Sequence, residues 1–331
     1  MQVAFFSTHS YDKEYFERIN NNNLHQITYF EAPLNKDTAI LAKDFNAVCT
    51  FVNDKLDSET IDKISNSGVK CIVLRCAGFN NVDVKAAAQN NIKVLRVPAY
   101  SPQAVAEHAV ALILTLNRKT HKAYNRIRES NFSLEKLVGF NLYGKTVGVI
   151  GTGQIGVMFC NIMKGFGCHI VAYDINESDE LKEKGVAYKS IEDLFKVSDI
   201  ISLHCPLTPE TMHLIDKKAI DQMKKGVMLI NTSRGAVIHT ADAIEGLAAE
   251  KIGYLGIDVY EQEGNLFFRD LSESIIRDDL ITRLLTFPNV LITSHQGFFT
   301  KEALEEITIT TLQNLSDFEN GTKSDNEVVV K

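Results

Sequence analysis

The stretch Val147-Gly148-Val149-Ile150-Gly151-Thr152-Gly153-Gln154-Ile155-Gly156 is a short apolar run that ends in G-x-G-x-x-G. A second apolar run, Ile170-Val171-Ala172-Tyr173, ends on an acid, Asp174. Strand, glycine turn, helix, strand and acid come in the order a dinucleotide site needs. Gly151 makes the tight strand-to-helix turn, Gly153 lets backbone approach a pyrophosphate, and Gly156 lets the helix pack on the strand. The pyrophosphate then sits on a helix N-terminus, where unpaired N–H groups and the helix dipole favour negative charge. Asp174 is placed to accept the ribose hydroxyls and to repel a 2′-phosphate, which selects NAD over NADP. Without the second strand and its acid, the same glycines would read as an ordinary turn.

The rest of the chain sets bounds on this reading. Its 331 residues suit about two domains of ordinary size. With 45% hydrophobic and 23% charged residues it has the composition of a globular protein. A net charge of −7 gives no reason to expect nucleic acid or an anionic membrane as partner. An anionic substrate therefore requires local cations, so individual arginines matter. The start, Met1-Gln2-Val3-Ala4-Phe5-Phe6, reads as a strand and lacks the basic region and cleavage site of a signal peptide. No apolar stretch approaches the ~18 residues of a transmembrane helix. The six cysteines form no C-x-x-C, and several lie in apolar runs, so they read as free thiols in a reducing cytoplasm. No metal-binding arrangement is present.

Before residue 100 the chain alternates strand candidates (3–6, 47–52, 70–74 and 93–96) with polar segments of helical length. This is βαβ rhythm and implies a parallel sheet covered on both faces. Ser101 reads as an N-cap with Pro102 at the first helical position, opening a long helix over 103–121. Beyond the dinucleotide unit, strands are expected at 199–203, 227–230, 254–259 and 290–292, and an amphipathic helix at 300–315. The last helix is expected to cross back to the first block, which has no partner for it in its own stretch. The fold class that results is α/β, with two doubly wound parallel-sheet domains. A discontinuous domain, 1–100 plus 299–331, carries a dinucleotide domain, 101–298, inserted into it. The tail 321–331 reads as polar and loosely held.

Three polar signals end the later apolar runs: Asn231-Thr232-Ser233-Arg234-Gly235, Glu263 after Asp258-Val259-Tyr260-Glu261-Gln262, and Ser294-His295-Gln296-Gly297. In a doubly wound sheet the C-terminal strand ends meet at one crevice. An arginine, a carboxylate and a histidine are thereby brought together, and they suit hydride transfer to a 2-keto acid. Arg234 matches a carboxylate with its planar fork and polarises the carbonyl oxygen where charge develops. His295 gives or takes the proton on that oxygen. A carboxylate such as Glu263 fixes the imidazole tautomer and favours the imidazolium. Each also has a plainer role open to it: Arg234 as a capping cation, His295 as a structural histidine, Glu263 as a solvated acid. Tyr100 reads equally as interdomain packing. Phe298 and Phe299 are site wall or core, His204 a wall of the nucleotide cleft, and His108 a helix-surface or interface residue.

These residues, taken together, resemble the NAD-dependent D-2-hydroxyacid dehydrogenases over essentially the full length. Within that family the chain looks most like the fermentative D-lactate dehydrogenases of bacteria. The likeness rests on Arg75-Cys76-Ala77-Gly78-Phe79-Asn80-Asn81-Val82-Asp83, Val97-Pro98-Ala99-Tyr100-Ser101-Pro102 and Ala104-Val105-Ala106-Glu107-His108. It continues through Leu203-His204-Cys205-Pro206-Leu207-Thr208 and the three later motifs. The resemblance implies a Rossmann-type NAD domain inserted into a flavodoxin-like substrate domain. It implies Arg234, Glu263 and His295 as catalytic residues. The amides of Ala77 and Gly78 would hold the substrate carboxylate, Tyr100 would line the site, and Phe298 would limit the substrate side chain to a methyl group, as in pyruvate. Cofactor contacts carry over to Gln154, Ile155, Asp174, Cys205, Pro206, Thr232, Ser233, Arg234 and Asp258. Thr211 stands where lactate dehydrogenases often have Asn, and a hydroxyl there replaces one amide bond. The family further implies domain closure with hinges near 98–102 and 296–300, and a homodimer or homotetramer with helix 102–121 as the contact. A dehydrogenase for a larger D-2-hydroxy acid, or for 3-phosphoglycerate, remains an alternative. So does an NAD-sensing co-regulator on the same scaffold.

Overall fold

The computed structural model describes residues 1–21 and 24–329. The chain forms two compact units, residues 1–101 with 298–331, and residues 102–297. In the first, strands and helices alternate as β1 (Gln2–Phe5), α1 (Ser10–Ile19), β2 (Gln26–Tyr29), β3 (Ala47–Thr50), α2 (Ser58–Asn66), β4 (Cys71–Leu74), α3 (Val84–Gln89) and β5 (Lys93–Arg96). All pairings among these strands are parallel, in the order β2-β1-β3-β4-β5. That is the flavodoxin-like order. β3 and β4 are buried at every position because helices cover both faces of a parallel sheet. β2, at the edge, is half-exposed with alternating polarity (Gln-Ile-Thr-Tyr); its polar half hides it in the sequence.

The second unit opens with α4 (Pro102–Arg118) and α5 (Thr120–Arg128). It continues through β6 (Thr146–Ile150), α6 (Gln154–Gly165), β7 (His169–Tyr173), α7 (Asp179–Glu183), β8 (Ala187–Tyr188), α8 (Ile191–Val197) and β9 (Ile200–Leu203). It closes with α9 (Lys217–Gln222), β10 (Val227–Asn231), α10 (Thr240–Ala248), β11 (Ile252–Ile257), α11 (Asp279–Thr286) and β12 (Val290–Ile292). The strands form one parallel sheet, β12-β11-β10-β9-β6-β7-β8. Counted from β6, this is the Rossmann order with a seventh strand added. The helix read over 103–121 is in fact two. Lys119 takes a left-handed φ of 50°, which a non-glycine side chain adopts only at a break, and α5 starts afresh.

The last helix, α12 (Lys301–Glu319), is capped by Thr300, whose side chain accepts from the Ala303 amide at 3.2 Å. It packs on α1, β4 and β5 of the first unit, with Arg18 paired to Glu305 at 2.7 Å. The tail is held more firmly than its polarity suggests. The Val328 amide donates to Val94 (2.8 Å) and the Arg96 amide to Asn326 (3.1 Å), so the tail runs along β5. Residues 330 and 331, the end of the tail expected to be loosely held, lie outside the described residues.

Candidate active site

In the second unit the C-terminal strand ends are in register. Ile150 pairs Tyr173 and Leu203, Leu203 pairs Asn231, Asn231 pairs Ile257, and Ile257 pairs Ile292. The loops that leave these residues therefore gather on one edge. They are the glycine turn after β6, Asp174 after β7, His204-Cys205 after β9, Thr232–Arg234 after β10, Asp258 after β11 and His295 after β12.

The glycine turn is shaped for a dinucleotide. Gly151 has φ of 93°, and a Cβ there would lie 2.6 Å from the Cys205 amide nitrogen. A Cβ on Gly156 would lie 2.0 Å from the Gly151 carbonyl oxygen, so only glycine lets α6 start this close. A Cβ on Gly153 would meet nothing within 4 Å, which leaves open space above the turn. No side chain caps α6 at Gly153, so the first-turn amides, beginning with Gln154 and Ile155, are available to an anion. Asp174 accepts from the Thr152 amide (2.5 Å) and hydroxyl (3.2 Å) and from the Asn176 amide (2.9 Å). Tyr188 donates to the Thr152 hydroxyl at 2.9 Å and steadies that turn. The Thr232 hydroxyl is buried without a hydrogen-bond partner on the same edge. The open turn, the uncapped helix, the carboxylate and the orphaned hydroxyl together fit a dinucleotide.

Beside them, other residues of the same loops do structural work. His204 lies beneath the turn, half-buried, with its ring centroid 4.8 Å from that of Phe159 and its Nε2 bonded to Ser202 at 2.9 Å. Burial of the ring pushes its pKa down to about 3, so the imidazole is neutral. Burial likewise pushes the Cys205 thiol up to about 11. Thr211 closes its own loop: its hydroxyl donates to Pro206 (2.6 Å) and accepts from the Thr208 amide (2.7 Å).

Arg234, Glu263 and His295 sit on three loops that are tied to one another. Asn231 shapes the first, accepting from the Ser233 amide (3.0 Å) and hydroxyl (2.8 Å) and donating to the Arg234 carbonyl (2.8 Å). Arg234 donates from Nη1 to the Ser233 carbonyl at 2.7 Å. Gly235 then packs its backbone on the next loop, where a Cβ would lie 2.1 Å from the Tyr260 carbonyl carbon. The Tyr260 amide donates to Glu263 at 2.9 Å, and the other oxygen of Glu263 meets His295 Nδ1 at 2.8 Å. This leaves Nε2 as the imidazole nitrogen for other work. The Phe268 ring lies 5.9 Å from that of His295.

His295 itself has a left-handed φ of 54°. For a residue with a Cβ this costs about 1–2 kcal/mol, and it persists only where surroundings enforce it. Asp258 enforces it. Its carbonyl accepts the His295 amide at 2.7 Å, and its carboxylate accepts the amides of Gln296 and Gly297, both at 2.8 Å, and the Thr293 hydroxyl at 2.5 Å. Burial alone would raise the Asp258 pKa; bonds from His108, Thr293 and Gln296 outweigh it and hold the group below the ordinary carboxylate range. His108, expected on the helix surface or at an interface, is half-buried and joins this cluster: its Nε2 lies 3.0 Å from Thr293 Oγ1 and 3.2 Å from Asp258. Sequence reasoning misses this clamp, because nothing in the spacing of 108, 258 and 293 announces it.

The remaining candidate residues belong to the first unit. After β4, the Ala77 carbonyl accepts from Arg96 at 2.7 Å. Among the described residues, the amides of Ala77 and Gly78 donate to no backbone carbonyl. The Phe298 ring is buried, with Phe51 at 6.0 Å, Tyr100 at 6.1 Å and Phe299 at 5.9 Å between centroids.

Residues 110–297 match the family described as D-isomer specific 2-hydroxyacid dehydrogenase, NAD binding domain. The D-lactate dehydrogenase of Escherichia coli (strain K12) is 52% identical over 329 residues, covering 99% of this chain and 100% of that one. The solved apo-structure of D-lactate dehydrogenase from Escherichia coli superposes with a TM-score of 0.92 at 51% identity, over 99% of this chain and 100% of that one. A structure described as the pyruvate reductase of Chlamydomonas reinhardtii gives 0.94 at 44% identity, over 98% of each chain.

Proposed function

The chain belongs to the D-isomer specific 2-hydroxyacid dehydrogenases, NAD-dependent oxidoreductases, and from that premise we propose that it reduces pyruvate reversibly to D-lactate. The observation that carries the reading is the Glu263–His295 pair, held at the end of β12 beside the Arg234 loop. When bound, NADH supplies the hydride. Arg234 binds the substrate carboxylate and polarises the keto oxygen, where negative charge grows during reduction. His295 gives its proton from Nε2 to that oxygen, and takes it back in the oxidation direction. Glu263 fixes the imidazole by accepting from Nδ1. Asp174 accepts the ribose hydroxyls, while Gly151, Gly153, Gln154, Ile155 and Gly156 hold the pyrophosphate. Cys205, Pro206, Thr232, Ser233 and Asp258 shape the rest of the cofactor edge; Thr211 acts there through its loop. In the first unit, the amides of Ala77 and Gly78 take the carboxylate, and Tyr100 and Phe298 bound the methyl group.

Pyruvate is favoured over larger acids by the aromatic packing around Phe298, and the names of the relatives point the same way. The test monitors NADH oxidation with pyruvate, 2-ketobutyrate, phenylpyruvate and hydroxypyruvate, then the handedness of the product. Fast turnover with pyruvate giving D-lactate supports the reading. Preference for a bulky keto acid moves the assignment within the family, and no turnover with NADH still bound favours a sensor.

We also propose a homo-oligomer, in a reducing compartment such as the cytoplasm. α4, the helix expected to make the contact, already buries nine residues against its own unit. The exposed apolar side chains lie further on, at Tyr124, Phe132, Leu134, Val138 and Tyr143, and are the better candidates. All six cysteines are unpaired and buried, and no helix among the described residues is long and apolar enough to cross a membrane.

A further inference from the structure

The second unit carries a cavity that the reaction leaves unused. It has a volume of about 390 Å³ and lies where α4 breaks at Lys119 and α5 turns away. Four cations line it, Lys119, Lys122, Arg126 and Lys136, with His121 beside them and Tyr254 in the wall; no Asp or Glu does. Residues 118–136 hold six Lys or Arg against two Glu, in a chain whose net charge is −7. Among the described residues, none of the four cations forms an ion pair with a carboxylate; their hydrogen bonds run to carbonyls. Lys119 donates to Lys136 (2.9 Å) and Val138 (3.2 Å), Lys122 to Pro288, and Arg126 to Ser133 (2.8 Å) and Glu135 (2.9 Å).

Carbonyls occupy donors but cancel no charge. An ammonium has three N–H donors and a guanidinium five, so these bonds use only part of the supply. The cluster also repels itself: burial, and then the charge of Lys119, pushes the Lys122 pKa down. Fastening a loop to the body needs one or two such donors. Four cations without a carboxylate partner among the described residues, lining a space of ligand size, are an arrangement that a bound anion relieves. The place also separates it from the reaction. Gly253 and Asn289 bring the N-terminal ends of β11 and β12 to the cavity, whereas Asp258 and His295 lie beyond their C-terminal ends. The intervening run of β11 spans roughly 17 Å at the usual strand rise.

We propose that this cavity is a second binding site, apart from the reaction, for a small anion carrying two or more negative charges. The experiment is calorimetric titration of the full chain saturated with NADH, which keeps the dinucleotide edge occupied. Pyrophosphate and tricarballylate are the probes, with sodium chloride at equal ionic strength as the blank. Saturable binding beyond chloride is expected. Pyrophosphate alone would assign phosphate chemistry, tricarballylate alone carboxylate chemistry, and both a preference for charge. Among the described residues the Lys136 side chain makes no hydrogen bond or ion pair, so Lys136→Glu should abolish the binding and leave NADH turnover with pyruvate unchanged. Lys136→Gln and Lys122→Gln should each weaken it about tenfold, or ~1.4 kcal/mol; Lys136→Gln serves if the glutamate variant does not fold. Absence of saturable binding in the parent chain, or undiminished binding in the Lys136 variants, overturns the proposal.

Discussion

Asp258 holds His295 in place with its backbone and the two residues after it with its side chain. The carbonyl takes the His295 amide at 2.7 Å, and the carboxylate takes the next two amides at 2.8 Å each. A single buried acid thus enforces the left-handed turn that aims the imidazole. Asp258→Asn keeps the shape but turns one accepting oxygen into a donor, so an amide on the 295–297 turn faces an N–H group. The expected loss is about 1.5–3 kcal/mol of stability. In steady-state assays, kcat should fall ten- to a hundredfold, with NADH affinity changing less. A variant that melts earlier yet turns over normally would show that the clamp serves the fold alone.

His295 and Glu263 act as a pair, so their variants should differ in depth. His295→Asn removes the proposed proton donor and should lower kcat by about 10³-fold, within the range of a lost acid–base group. NADH titrated by fluorescence should bind as before, since the glycine turn and Asp174 lie elsewhere. Glu263→Gln still accepts from Nδ1 through one atom, but presents an NH₂ to the Tyr260 amide or to the ring. A smaller loss, about tenfold to a hundredfold in kcat, is expected. Equal kinetics in parent and His295→Asn would remove His295 from the reaction.

Much of this arrangement is legible in the sequence, for physical reasons. Parallel strands buried on both faces read as continuous apolar runs, so β3, β4, β9 and β10 stand out, while the amphipathic edge strand β2 does not. The glycine turn is legible because each glycine answers a steric demand: a Cβ on Gly156 would lie 2.0 Å from a carbonyl oxygen. The break at Lys119 is not, because the polar run Asn117–Lys122 holds no glycine or proline to mark a stop and only the backbone angle shows it. The His108–Thr293–Asp258 cluster is hidden for a different reason. Its members come from α4 and from the ends of β11 and β12, and only the packed sheet brings them together.

Asp174 should decide which nicotinamide cofactor is used. Its carboxylate would lie against a 2′-phosphate and repel it. Asp174→Ser removes that charge and keeps a hydroxyl that can serve the ribose. The ratio of kcat/KM for NADPH to that for NADH should rise at least tenfold. Because Asp174 also accepts the Thr152 amide at 2.5 Å, some loss of NADH affinity is expected as well. An unchanged ratio would mean that another group sets the preference.

His204 should make the fold sensitive to acid. Its pKa is about 3 in the folded chain against an ordinary 6.5, because burial disfavours the charged ring. The unfolded chain therefore takes up a proton at a higher pH than the folded one. The contribution of the neutral ring is fully present above pH 6.5 and drains away as the pH falls toward 3. His204→Gln removes the titrating group and keeps a partner for Ser202. Its melting temperature, measured from pH 7 to pH 4 (roughly the span in which such a histidine titrates), should fall less steeply than the parent's, even if it starts lower. Parallel curves would show that other groups govern acid unfolding.

Phe298 should set the size of the substrate. Its ring is 8% exposed and sits among Phe51, Tyr100 and Phe299 in the first unit. Truncation to alanine would open a core cavity at a cost of about 3–5 kcal/mol, which would confuse stability with specificity. Phe298→Leu keeps the site apolar and removes the far end of the ring. One methylene in an apolar pocket is worth about 1–3 kcal/mol of discrimination. The kcat/KM ratio for 2-ketobutyrate over pyruvate should therefore rise about tenfold or more, through a lower KM for the larger acid. Product handedness should stay the same if, as proposed, the second unit alone holds the cofactor. If both substrates lose equally, Phe298 is a packing residue and the methyl group is bounded by another side chain.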